Sequence, residues 1–264
     1  MNEIKHANTD QLTHVFNFNP SKISDIPLPI NYERVENHND FATYLRGLPL
    51  DTLDNVVHLF NGEQKGNQNV HYAIIKIDVG KRDLQQCADA VMRLKAEQLY
   101  QAKQYDDITF MFTNGDWIDF NKYAKGYRPN INGNKVSWSK TEQQSYSYET
   151  FRAYMNLVFS YAGTLSLSKQ LQLVSDFNDI AIGDVIIIGG SPGHAVIVVD
   201  VAIEKSTQKK IFMIAQSYMP AQEIHILKNL ENKRLSPWYE IPTGQRVTTP
   251  EYGFTKDNLM RFTK

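Results

Sequence analysis

Apolar residues recur at three- and four-residue steps through Leu84, Cys87, Ala88, Val91 and Leu94, the spacing of one face of an α-helix. The pattern predicts a helix over 83–103, with Asp83 as N-cap and Gln86 completing a capping box. Asp89, Arg93 and Glu97 follow at four-residue steps on another face and read as a solvated ladder, with Asp89 and Arg93 as a surface pair. A second helix is predicted over 150–162, ended by Gly163, and a short one over 40–46. β-Branched runs predict strands at 55–60 and 71–79 around turns at Asn61-Gly62 and Lys65-Gly66. A meander follows at 185–188, 195–203, 210–216 and 223–227. Residues 1–40 read as an irregular lead-in, and the tail from Ser236 reads as a surface wrap. Helices in the middle and antiparallel strands at the end give an α+β fold. It is expected as a single elaborated domain over 1–264, with an antiparallel β core at 180–228.

The most apolar run, 185–199, is 15 residues long and is broken by Gly189-Gly190-Ser191-Pro192-Gly193-His194. A bilayer needs about 20 continuous apolar residues, so this run is expected to be a buried hairpin and no membrane span is expected. Residues 1–10 are polar and lack the apolar stretch of a signal peptide. The compartment stays open: exported or periplasmic if a leader has been removed, cytoplasmic otherwise. Lys and Arg number 28 against 29 Asp and Glu, so no strong field exists for nucleic acid, which is not expected as a partner. A single cysteine excludes an internal disulfide, a thiolate zinc cluster and a CxxC pair.

Residues 105–161 hold 14 of the 30 aromatics and are expected to form an insertion. They are either a satellite core or a stacking platform for a sugar or peptide. On the second view Trp117, Tyr127, Arg128 and Trp138 are the substrate-binding candidates. The Gly-rich turn lacks the Lys-Ser/Thr ending of a phosphate loop, and no cofactor is expected. Asp200 shares a strand face with His194, but no third ligand sits at a recognisable spacing, so no metal is expected. His225 alternates with Ile224 and Ile226 and is expected to be exposed.

Thiolate chemistry needs an activated cysteine, a base within reach and a group to orient the base. Cys87 lies near the start of its helix, where free N–H groups favour a negative sulfur. His194 opens a strand, and antiparallel pairing about Ser206-Thr207-Gln208 brings Gln216 beside it, with Ser217 and Tyr218 as alternatives. A helix with Cys, then Ile182-Gly183-Asp184-Val185-Ile186, then a strand opening with His, resembles the papain-like fold of NlpC-type and CHAP-type cell-wall amidases and endopeptidases. The likeness covers about 40 residues around His194.

That resemblance implies a papain-like core, with a nucleophile-bearing helix packed on a C-terminal antiparallel sheet. It also implies cysteine-dependent hydrolysis or transfer at an amide bond. Cys87 would be the nucleophile, His194 the base and then the acid, and Gln216 the orienting group. The Cys87 N–H, with a Gln85 or Gln86 side chain, would hold the oxyanion, and a peptidoglycan stem peptide or muropeptide would be the substrate. The alternative is a non-catalytic module that binds glycan or peptide and buries its cysteine. Over nearly the whole chain, the segments around 83–94, 162–169, 189–200 and 215–227 resemble an uncharacterised bacterial family, a domain of unknown function.

Overall fold

The Gly-rich stretch at 189–193 turns Val185–Ile188 back onto His194–Glu204, antiparallel, with Ile188 opposite His194. The computed structural model describes residues 19–36 and 39–263, so the expectations for 1–18 lie outside the described residues. Lys210–Gln216 pairs with the other edge of the His194 strand, and His225–Leu227 and His71–Ile74 extend the sheet beyond it. On the opposite side Leu259–Phe262 pairs with both Val185–Ile188 and Leu171–Leu173. Tyr32–Arg34 and Tyr239–Glu240 add short pairings, making nine strands. The fold is α+β with a large antiparallel sheet. Its central strands are buried along most of their length, which is why they read as continuous apolar runs rather than alternating ones.

The helix Cys87–Gln101 packs across the His194 strand, and Asp40–Gly47, Tyr148–Tyr161 and Thr164–Gln170 pack around that helix. Asn39 and Ser147 cap two of these helices by accepting from the N–H of Ala42 and Thr150. Gly183 is required where it stands: its φ is +93°, and an added Cβ would sit 2.8 Å from the Phe41 ring. Among the described residues no helix is long and apolar enough to cross a membrane.

Several expectations are corrected. The long helix begins at Cys87, not Asp83, because the Asp83 carboxylate is occupied by the N–H of Ala221 and the side chain of Gln86. The charged ladder is not solvated. Arg93 is fully buried and pairs with Glu97 at 2.6 Å, while Asp89 bonds the Gln86 N–H at 3.0 Å instead of meeting Arg93. No strand forms at 55–60, where Val57 bonds the Gln68 amide in both directions. The lead-in is not wholly irregular, since Tyr32–Arg34 joins the sheet. The tail does not simply wrap the surface: Val247 and Phe254 are buried, and Leu259–Phe262 is an inner strand.

Residues 105–161 are not a satellite: Phe110, Phe120, Phe151 and Tyr154 join the main core, and stacked pairs such as Tyr100–Phe151 and Tyr105–Tyr146, with ring centroids 4.5 and 4.9 Å apart, tie the segment to the long helix and to itself. The same segment carries two small ribbons that periodicity did not signal, Thr109–Met111 with Trp117–Asp119 and Tyr127–Asn132 with Lys135–Lys140. Their sides are partly polar, so their alternation is faint.

Candidate functional site

Gln86 is extended at the position before the helix, its N–H donating to the Asp89 carboxylate at 3.0 Å, and this makes Cys87 the first helical residue. The sulfur there is half-buried. Three backbone N–H groups face it: those of Ala195 on the neighbouring strand, Ala88 and Cys87 itself. Burial nevertheless pushes the thiol above its ordinary range, and the nearby Asp89 carboxyl adds to the rise. Asp89 is held well above the usual carboxylate range by its own burial.

Ala195, which offers its N–H to the sulfur, directly follows His194. The imidazole of His194 is 2% exposed and enclosed by the rings of Tyr218, Tyr252 and Phe254, at centroid distances of 4.8, 4.9 and 5.9 Å. Its Nε2 lies 2.7 Å from Oε1 of Gln216. Burial pushes the His194 pKa down to about 4, against the opposing pull of the Gln216 bond. Near neutral pH the Cys87 thiol and the His194 imidazole are therefore both neutral.

Gln216 is itself buried, and its Nε2 donates to Glu251 Oε2 at 2.7 Å. Glu251 forms an ion pair with Lys65, a lysine that is only 7% exposed. The second N–H of the Gln216 amide points at His225 Nε2, 3.4 Å away. His225 is fully buried, not exposed as alternation suggests: Glu223 O takes its Nδ1–H, Gln216 faces its Nε2, and the His71 ring lies edge-on to it at 6.0 Å. Glu251, Lys65 and Tyr252 were not singled out from the sequence as site residues, and Tyr218, an alternative there to Gln216, instead packs its ring on His194. Nothing in the spacing of the first three marks them, since Lys65 and Glu251 are 186 positions apart.

Of the two glutamines before Cys87, Gln86 donates through Nε2 to Asp83 at 3.1 Å. Gln85 accepts from Arg93 through Oε1 and keeps a buried Nε2 with no partner. Asp200 is not placed as a ligand beside His194. The strand register slips between Met213 and Ile214, which interrupts the alternation, and Asp200 receives Arg34 and Arg46 at 2.7 and 2.6 Å. Among the described residues no group of three His, Cys, Asp or Glu is placed to hold a metal ion.

Of the four aromatic-segment candidates, Tyr127, Arg128 and Trp138 share one small ribbon and Trp117 lies on the other. Trp117 is 55% exposed, and Lys122 stands over the Trp138 ring at 4.6 Å and the Tyr127 ring at 5.9 Å. Arg128 lies against the Tyr123 ring at 3.9 Å and donates to two carbonyls, so its guanidinium is tied to its own ribbon. No hydrogen bond or ring contact joins these four to Cys87 or His194.

Compared with known proteins, residues 23–261 match a family model described as Domain of unknown function (4846). No curated protein and no solved structure matches the chain.

Proposed function

The chain belongs to that family, DUF4846, over nearly its whole length, and from this starting point we propose that it is a cysteine-dependent hydrolase or transferase acting at an amide bond. One observation carries the proposal: the Cys87 sulfur meets the N–H of the residue that follows a histidine whose far nitrogen is held by a buried glutamine. Nucleophile, base and orienting group are the parts such chemistry requires.

In the proposed reaction Cys87 Sγ attacks the amide carbon while its proton passes to Nδ1 of His194, the nitrogen that Gln216 leaves open. The carbonyl electron pair moves onto oxygen and is held by the free N–H groups at the helix start, with Gln85 as the amide that has a donor to spare. The C–N bond then breaks, His194 returns the proton to the leaving amine, and water or an acceptor amine resolves the thioester. A papain-like arrangement of helix and sheet, with peptidoglycan stem peptides as substrate, is part of the same proposal. It rests on the order of the motifs and on the helix lying across the His194 strand.

The test is turnover of muropeptides by the purified chain, followed by chromatography, beside the Cys87→Ala variant. The variant is expected to lose at least about a thousandfold in rate. Retained turnover in Cys87→Ala ends the proposal. The exposed Trp117 favours a second reading, a glycan- or peptide-binding module. Quenching of tryptophan fluorescence by muropeptides without turnover, together with a Cys87 inert to iodoacetamide in the folded chain, would establish that reading instead.

A further inference from the structure

We propose that Glu251 decides which nitrogen of His194 carries the proton, and is thereby a positioning residue for Cys87 chemistry; only this catalytic consequence rests on the function proposed above. An amide side chain can face His194 with its oxygen or with its NH2, and the two choices demand opposite tautomers of the ring. If oxygen faces Nε2, that nitrogen must hold the proton and Nδ1 is a base. If the NH2 faces it, Nε2 must be bare, Nδ1 holds the proton, and the thiol has no acceptor.

The other end of the same amide settles the choice. It lies 2.7 Å from Glu251 Oε2, and the other oxygen of Glu251 is paired with the nearly buried Lys65. A carboxylate accepts only, so the end of Gln216 that faces it must be the NH2. His225 agrees. Its Nδ1 donates to Glu223 O at 2.9 Å, which leaves Nε2 as an acceptor for the second N–H of the same group. Both hydrogens of the Gln216 amide are thus assigned, and Oε1 is forced toward His194 Nε2.

The chain of dependence runs from Lys65 through Glu251 and Gln216 to the proton on His194. It joins positions far apart in sequence and ends at the residue preceding Ala195, whose backbone N–H helps to lower the Cys87 thiol pKa. Tyr218 and Tyr252 are titratable groups against the ring itself; Lys65, Glu251 and His225 lie beyond the amide.

The experiment is two-bond proton–nitrogen correlation NMR of the nitrogen-labelled full chain near neutral pH, which reads the tautomer of His194 directly. Iodoacetamide labelling of Cys87 is run in parallel. In the unaltered chain the Nε2–H tautomer is expected to dominate. Glu251→Gln is nearly isosteric but offers both a donor and an acceptor, so Gln216 is free to turn over. The tautomer ratio should fall by roughly tenfold or more, because a bond to a charged acceptor is the stronger one. Glu251→Asp, which keeps the charge, should restore it. A K65M/E251Q double variant serves where an unpaired Lys65 prevents folding, and the same drop is expected there.

An unchanged ratio in Glu251→Gln and in the double variant overturns the proposal, whatever Cys87 does. A changed ratio with a Cys87 inert in every variant upholds Glu251 as the residue that sets the tautomer, while removing the cysteine chemistry. The two failures are therefore distinguishable.

Discussion

His225 sets a price on acid. Burial drives its pKa down to about 3, with the neighbouring imidazoles of His71 and His194 and the charge of Lys65 lowering it further. An exposed histidine in the unfolded chain titrates near 6.5. Below that value the unfolded chain binds a proton that the folded chain refuses, so stability is lost as pH falls from about 6.5 toward 3. Integrated over that difference, His225 alone removes about 2 kcal/mol between roughly pH 7.5 and 5, and about 1.4 kcal/mol for each further unit. Other groups contribute in the same window with both signs. His194 acts in the same direction as His225, and the raised Asp89 carboxyl acts against both.

The informative quantity is therefore a difference between two chains. His225→Gln removes the titrating ring and leaves an amide that can still accept from Gln216. Urea unfolding of both proteins, followed through the buried Trp238, should show the variant gaining about 2 kcal/mol on the parent between pH 7.5 and 5. A stability difference that stays flat over that range would refute the reasoning, because it would mean that the ring is not held neutral by its surroundings.

Two further outcomes follow from the packing. Gly183→Ala combines a left-handed backbone with a Cβ pressed on Phe41, and urea unfolding should show a loss of about 1–3 kcal/mol. A loss under half a kcal/mol would contradict the close approach. Arg93→Met strands the buried Glu97 and should cost about 3–5 kcal/mol in the same assay. An R93M/E97Q double variant that recovers none of that loss would show that the cost lies elsewhere.

Much of the sheet was legible because strand length and β-branched content speak directly. Val185–Ile188 and Lys210–Gln216 begin and end where their runs do. The pairing of Gln216 with His194 could be reached from the position of one turn at 206–208. What stayed hidden was whatever depends on residues distant in the chain. Arg93 looks like a surface charge until Glu97, Gln85 and Tyr148 enclose it. His225 looks exposed because alternation assumes one open face, and here His71 and Gln216 pack against the ring. Glu251 sits among prolines and threonines in a stretch without periodicity, so only its contact with Gln216 marks it. The helix start misled because Asp83 has the chemistry of an N-cap, and its carboxylate is already taken by the N–H of Ala221 and the Gln86 side chain.

The ion pair between Lys65 and Glu251 spans 186 positions of sequence. A contact of that separation waits on the closure of a very long loop, and such closures come late on the way to the native state. Until then Gln216 has no carboxylate to align it, and the proton on His194 can sit on either nitrogen. A partly folded or newly made chain thus carries an unarmed cysteine, however early the helix beneath it has formed. The pair works as a completion lock, and iodoacetamide capture of Cys87 during refolding should trail the recovery of helical signal rather than accompany it.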